Sequence, residues 1–245
     1  MQIDLFTRLP KDDTAIQLIQ SCEPPNGYYG CYSGGKDSEV VMDLTNRAIS
    51  KVEWHYHRTG VDAPETIRFI RTEHPEVIFD IPKKTMWQGI TTEGLPLRTQ
   101  RWCCGLLKEC FGKGRVKLDG VRAGESTGRK VRNCIEVHSK DLTTSFVHPI
   151  FRWSVDDIWD YIDEQHLKVN PLYYTNGKRY KHRRLGCLLC PMTTQFETKR
   201  QMDLYPKFVE LYRHYGSIYF DKRLAKGNTD FKSFDEYFSW WIKRH

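Results

Sequence analysis

No run of about 18 apolar residues occurs anywhere in the chain, which excludes a membrane-spanning helix. The opening residues, Met1 to Arg8, lack the basic-then-apolar order of an export signal, so the expected compartment is the cytoplasm. Low-complexity tracts and internal repeats are also absent, and with 39% hydrophobic residues the composition argues for a packed core rather than disorder. The GxxxxGK[ST] spacing of a Walker A loop is missing. No cysteine follows Cys190.

What is present fits one generous domain, or one domain with a small appendage, in 245 residues. Aromatic residues, at 13%, supply large buried areas. The net charge of +7 suits an anionic partner such as a nucleotide phosphate, a sulfate ester or nucleic acid, and equally suits plain solubility. Eight cysteines in a reducing compartment point away from structural disulfides. Four are clustered, as Cys103-Cys104 and Cys187-x-x-Cys190. The scattered Cys22, Cys31, Cys110 and Cys134 read as buried free thiols.

Periodicity sets the order of elements. A short helix is expected over Thr14 to Cys22 with Asp13 as its cap, then a strand over Tyr28 to Tyr32. Val40, Val41, Leu44 and Ala48 follow helical spacing, and Val52, Trp54 and Tyr56 alternate as a second strand. A helix opening at Pro64, a strand over Val77 to Ile81, a helix over Lys84 to Ile90 and a strand over Val116 to Val121 follow. Ser154-x-x-Asp157 is a capping box ahead of another helix, and the chain beyond Cys190 reads as helical, with apolar stripes at Phe208, Leu211, Tyr212 and Tyr215 and at Phe234, Phe238, Trp241 and Ile242. Strands alternating with helices predict a parallel sheet covered on both faces.

The sharpest motif joins the first strand to the second helix: Tyr32-Ser33-Gly34-Gly35-Lys36-Asp37-Ser38. A helix N-terminus presents N–H groups and a favourable dipole to an anion. Glycines let the main chain come close to phosphate oxygens, the serine hydroxyls are donors, and Lys36 is a compact positive charge. In the cysteine cluster, four soft thiolates suit zinc or an iron–sulfur centre, though adjacent cysteines fit one tetrahedral zinc poorly.

SGGKDS resembles the PP-loop of the adenine nucleotide α-hydrolase superfamily. His57-Arg58-Thr59-Gly60-Val61-Asp62-Ala63-Pro64-Glu65-Thr66 resembles the TG-(V/L)-x-x-PET stretch of its phosphoadenosine phosphosulfate reductase family. Gly120-x-Arg122-x-x-Glu125-Ser126-x-x-Arg129, His148-Pro149-Ile150 with Trp153-Ser154, Asn170-Pro171-Leu172-Tyr173 and Arg184-x-Gly186-Cys187-x-x-Cys190-Pro191 continue the likeness in family order, over about two thirds of the chain.

The resemblance implies an α/β fold: a doubly wound, mainly parallel sheet with a helical C-terminal extension, divided as a nucleotide-binding domain over residues 1–192 and a helical cap over 193–245. It implies ATP or adenosine phosphosulfate with Mg2+ as ligand, held by residues 32–38, Thr59, Gly60, Asp62, Glu65, Gly120, Arg122, Glu125 and Ser126. Lys36, Asp37, Arg122 and Arg129 are the expected catalytic residues. Asp62 and Glu65 are candidates for ribose hydroxyls or for magnesium, against a plain role as helix N-terminal charges. Cys103, Cys104, Cys187 and Cys190 resemble the ligands of a 4Fe-4S cluster. The expected partners are an adenine nucleotide, a nucleic-acid acceptor, a sulfur-donor or reductase protein and a second copy of the chain.

The likeness has one gap. Sulfonucleotide reductases of this family attack sulfur with a cysteine in a C-terminal Glu-Cys-Gly-(Leu/Ile)-His stretch, and no thiolate stands ready for that step here. The first expectation is therefore an ATP pyrophosphatase that adenylates an acceptor for sulfur transfer. The alternatives are a sulfonucleotide reductase with a nucleophile from elsewhere, in which Cys31, Cys110 or Cys134 lacks a supporting motif, and a non-catalytic nucleotide- and cluster-binding subunit.

Overall fold

The computed structural model describes Asp4 and residues 9–243. In chain order its elements are α1 (Lys11–Ser21), β1 (Tyr28–Cys31), α2 (Lys36–Arg47), β2 (Val52–His57), α3 (Pro64–Glu73), β3 (Ile78–Asp80), α4 (Met86–Glu93), α5 (Trp102–Leu107), β4 (Val116–Leu118), α6 (Thr127–Lys130), β5 (Ile135–His138), β6 (Asp141–Val147), α7 (Val155–Glu164), β7 (Tyr174–Thr175), β8 (Lys178–Arg179), α8 (Gln195–Leu204), α9 (Pro206–Leu224) and α10 (Phe234–Lys243). Among the described residues no helix is long and apolar enough to cross a membrane.

The chain divides into two compact units. The first combines Met1–Tyr56, Pro64–Asp80 and Phe111–Leu185; the second combines His57–Ala63, Ile81–Cys110 and Gly186–His245. The expected cap over 193–245 falls wholly in the second unit, together with two segments from earlier in the chain.

The first unit holds a six-stranded sheet in the order β3-β2-β1-β4-β6-β5. β1 pairs in parallel with β2 and β4, and β4 with β6, as the alternation of strands and helices requires. The strand order reverses at β1, so the crevice at the carboxyl end of β1 is where such a fold receives a ligand. Its core gathers Tyr28, Val40, Leu44, Trp54, Ile70, Leu118, Trp159 and Tyr173.

One glycine of β1 is fixed by packing. A Cβ on Gly30 would stand 2.3 Å from Cε3 of Trp54. Gly30→Ala is expected to cost about 1–3 kcal/mol through overpacking and to lower Tm by roughly 4–10 °C, read by calorimetry. An unchanged Tm would show that Trp54 has room to move.

Two sequence expectations are corrected here, and one edge of the sheet is added to them. α1 begins at Lys11 behind an extended Pro10, so Asp13 lies in the first turn and serves the helix dipole rather than the cap. The fourth helix is Met86–Glu93, set by Thr85, whose Oγ1 accepts from the Gln88 N–H at 3.1 Å. The sheet also carries an antiparallel edge: β5 pairs antiparallel with β6. Ile135 and Val137 are 50% and 58% exposed, so this edge strand has no apolar face strong enough to read from alternation.

The second unit has its own core of Met86, Ile90, Leu95, Leu107, Tyr212, Phe238 and Trp241, drawn from α4, α5, α9 and α10. Both C-terminal stripes are packing surfaces, as their spacing predicts, except that Leu211 is exposed.

Candidate functional site

In the first unit, the turn between β1 and α2 is held rigid from several sides. Gly34 has φ +69°, and a Cβ there would lie 3.0 Å from Thr66 Cγ2 and 3.1 Å from Ile70 Cδ1, so glycine is required on both counts. Asn170 Nδ2 donates to the Gly34 carbonyl at 3.2 Å and to Thr66 Oγ1 at 3.0 Å. Ser38 Oγ accepts from the Ser33 and Gly35 N–H groups, each at 3.2 Å, and donates to the Gly35 carbonyl at 2.8 Å. The Lys36 N–H donates to the hydroxyl of the buried Tyr173 at 3.0 Å.

Sequence reasoning placed Tyr32 and Ser38 among the nucleotide-binding residues, and in the structure their side chains hold the loop itself. The Tyr32 ring is buried, with its hydroxyl on Glu39, and Ser38 is occupied inside the turn. Both shape the loop from beneath. Gly120 acts similarly: a Cβ would come within 3.0 Å of the Asp37 carbonyl carbon and oxygen, and this close approach brings the chain after β4 onto the start of α2.

That approach assembles the charges. Asp37 takes Lys36 Nζ on one carboxylate oxygen at 2.6 Å and Arg122 Nε on the other at 2.6 Å. Arg122 is 4% exposed, and its NH1 donates to the Trp153 carbonyl at 3.3 Å. Glu125 forms a second hub, paired with Arg129 through one oxygen and with Arg184 at 3.2 Å through the other. Ser126 caps α6, accepting from the Arg129 N–H at 3.3 Å. Four cations thus face two carboxylates, a surplus of two positive charges.

Electrostatics agree with that surplus. Burial pushes the Lys36 ammonium below the ordinary lysine range; Asp37 opposes this, while Arg122 and Arg184 add to it. Burial likewise pushes Arg129 down, with Arg184 next in effect. A further anion beside these cations would offset the burial that depresses them.

Glu65 stands apart from these two hubs. It lies in the first turn of α3, 3.8 Å from Arg68 Nη2, on a groove of about 570 Å³ that also carries Phe69, Lys168 and Tyr174.

Thr59, Gly60 and Asp62 belong to the second unit. The Asp62 carboxylate accepts from the Thr59 N–H at 2.8 Å, the Thr59 hydroxyl at 2.7 Å and the Gly60 N–H at 3.2 Å, so it closes its own turn. Thr59 Oγ1 in turn lies 3.5 Å from Cys187 Sγ.

All four clustered cysteines meet in this unit. Cys103 and Cys104 sit on α5, and the Cys187–Cys190 turn is pinned from outside. The Leu188 N–H donates to the Val61 carbonyl at 2.7 Å, the Leu189 N–H to Gln201 Oε1 at 2.8 Å, and Tyr212 Oη to the Leu188 carbonyl at 3.0 Å. Leu189 is held at φ 52°, a strained conformation in a buried aliphatic residue. The four thiols lie within electrostatic reach of one another. Among the described residues no three His, Cys, Asp or Glu side chains stand at metal-holding distances.

Lys108 completes this group, and the motif reading missed it. Cys187 chiefly holds its ammonium above the ordinary lysine range, with Asp62 and Cys104 adding to the effect against burial. Its position four residues after Cys104 was the available signal, because i and i+4 share a helix face. Hydrogen bonding from Cys103 lowers the Cys104 thiol to about 6, helped by Lys108 and Arg101. Four soft donors beside a lysine ammonium, with the unpartnered buried Trp102 Nε1 one residue before Cys103, have the donor chemistry of a metal–thiolate centre.

The phosphoadenosine phosphosulfate reductase domain matches residues 28–193. The chain is a member of that family. Among curated proteins it is 26% identical to the adenosine 5'-phosphosulfate reductase of Streptomyces coelicolor, over 74% of this chain and 78% of that one. It is 30% identical to an uncharacterised protein of Methanocaldococcus jannaschii, over 87% of this chain but only 55% of that protein. A second uncharacterised protein of the same organism is 26% identical over 78% of this chain and 42% of its own length, so the chain spans about half of these archaeal relatives.

Solved structures agree on the fold. The phosphoadenylyl-sulfate reductase of Candida auris superposes with a TM-score of 0.50 at 17% identity, covering 74% of this chain and 93% of that one. An FMN adenylyltransferase of Candida glabrata reaches 0.50 at 14% identity, covering 73% and 62%.

Proposed function

We propose that this family member is an adenine-nucleotide-dependent enzyme whose phosphate loop takes ATP, adenylates an acceptor and releases pyrophosphate, so that a sulfur nucleophile then displaces AMP. The observation that carries the nucleotide reading is the surplus of two cations around Asp37 and Glu125 beside the first turn of α2. The acceptor oxygen attacks the α-phosphorus, the bond to the β-phosphate bridge oxygen breaks, and the departing pyrophosphate carries the electron pair. Lys36, Arg122 and the α2 amides stabilise the charge that develops. Magnesium, where bound, would supply neutralisation of phosphate charge; Asp37 is the carboxylate that would hold it, by exchanging its contact with Lys36 or Arg122.

Cys103, Cys104, Cys187 and Cys190 are proposed to hold a 4Fe-4S cluster, with Lys108 offsetting the charge of four thiolates. The acceptor class that suits a chain of net charge +7 is a nucleic acid. Adenylation is put ahead of sulfonucleotide reduction because the surplus of cations suits the larger negative charge of a triphosphate. The similarity to an adenosine 5'-phosphosulfate reductase favours the second reading, reduction with a nucleophile from elsewhere.

One assay separates the two. With ATP and an acceptor pool, AMP and pyrophosphate are expected in equal amounts. Sulfite release from adenosine phosphosulfate under a thiol reductant, with no pyrophosphate from ATP, would overturn the proposal in favour of the reductase.

A further inference from the structure

His148 opens one of the motifs that the nucleotide reading leaves without a task. It stands just after β6, in the same unit as the phosphate loop, and is fully buried. Its ring stacks on those of Phe146 and Phe151, with centroids 6.0 and 6.2 Å away. A residue that only filled this space would be apolar, because a buried imidazole costs free energy unless its nitrogens are bonded. Here they are occupied. Nδ1 donates to Asp119 Oδ1 at 2.6 Å, and Nε2 lies 3.5 Å from both Arg132 Nη2 and Glu136 Oε2.

The side chain and the main chain of His148 both lead to the turn that carries Arg122. Asp119 Oδ1, the oxygen that takes the imidazole, also accepts the Val121 N–H at 2.9 Å. On the main chain, the Phe151 N–H donates to the His148 carbonyl at 3.1 Å, and the Ala123 N–H donates to the Phe151 carbonyl at 2.8 Å. Arg122 is thus bracketed by Val121 and Ala123, each tied to His148 through one intermediate residue. Gly120, inside the turn that Asp119 closes, is the residue whose missing Cβ admits the Asp37 carbonyl. A guanidinium that stabilises developing charge has to be held to within a fraction of an ångström, and the groups behind it do that holding.

We infer that His148 is a positioning residue of the phosphate site: its Nδ1–H fixes Asp119, Asp119 closes the turn on Val121, and the turn sets Arg122 against Asp37. This deepens the proposed function and rests on it, since Arg122 is assigned there to the nucleotide phosphates. What His148 supplies is one donor in one place. A side chain of similar bulk that donates from the Nδ1 position keeps the role, and one that donates from elsewhere loses it.

Asparagine and glutamine separate this role from packing. In His148→Asn the amide nitrogen can stand where Nδ1 stands; in His148→Gln it reaches toward the place of Nε2. The test uses the full chain, with ATP and, separately, inorganic pyrophosphate as calorimetric titrants. His148→Gln is expected to weaken both about tenfold, and His148→Asn by less than about threefold. On an Arg122→Ala background, His148→Gln should cost no further affinity, because the group it positions is gone.

Equal losses in the two variants overturn the assignment, as does a His148→Gln loss that adds in full to that of Arg122→Ala. Should His148→Gln unfold by circular dichroism, Asp119→Ala takes its place in the same cycle with the same expected loss. Asp119→Asn, whose Oδ1 can still accept from His148 and Val121, is then the variant that should retain affinity. Pyrophosphate release from ATP by the wild type keeps the two proposals apart: binding losses that couple to Arg122 without release sink the adenylation reading alone, and release with uncoupled losses sinks the positioning role alone.

Discussion

Lys36→Ala is expected to weaken ATP binding by about 30- to 150-fold, on the order of 2–3 kcal/mol, as titration calorimetry would read it. The size follows from burial. The Lys36 side chain is only 5% exposed, so its desolvation is already complete in the free protein, and an incoming phosphate gains a charge that water does not screen. The fold should survive the change. Asp37 keeps Arg122 at 2.6 Å, and the turn is held by hydrogen bonds of Ser38, Tyr173 and Asn170 with backbone groups, none of which involves the lysine ammonium. Tm should therefore stay within a few degrees of wild type. An unaltered affinity in a folded variant removes the phosphate loop from the argument, and with it the nucleotide reading of the Asp37 and Glu125 hubs.

Much of this site was legible because its signals are local. A strand, two glycines, a lysine and a helix within eleven residues can be read from spacing alone, and the structure returns β1, Gly34 in the left-handed region and α2 in that order. Gly120 and Arg122 were legible as a motif, but their purpose was not. Only the fold shows that the absence of a Cβ at Gly120 lets Arg122 reach Asp37, 85 residues earlier in the chain.

What escaped was non-local or lacked a face. Tyr173 carries no sign in the sequence that its hydroxyl will cap the Lys36 amide. Thr59 and Asp62 fit a nucleotide motif, yet their hydrogen bonds close a turn beside Cys187, in the unit that holds the thiols. The hairpin of β5 and β6 was invisible because its exposed Ile135 and Val137 break the apolar alternation that marks a buried strand. His55 meets Asp80 through the adjacency of β2 and β3, which no spacing rule encodes.

Cys187→Ser is expected to abolish the broad absorption near ~400 nm and the bound iron and sulfide of protein purified without oxygen. Serine keeps the volume and removes the soft donor, so the effect reports ligation rather than packing. Cys187 is the ligand to choose because it is the thiol most strongly coupled to Lys108 and lies 3.5 Å from Thr59 Oγ1. The turn that carries it is fixed by Val61, Gln201 and Tyr212 through backbone atoms of Leu188 and Leu189, which the substitution leaves in place. Losing the centre should also lower the Tm of the second unit, because metal binding by a preformed thiol set is part of folding free energy and because Lys108 would keep its charge without its main partner. Cys22→Ser, on α1's C-cap in the other unit, serves as the control and should keep full colour. A wild-type chain that comes through anaerobic purification colourless and with one zinc per molecule would remove the iron–sulfur assignment and leave the four cysteines as a zinc site.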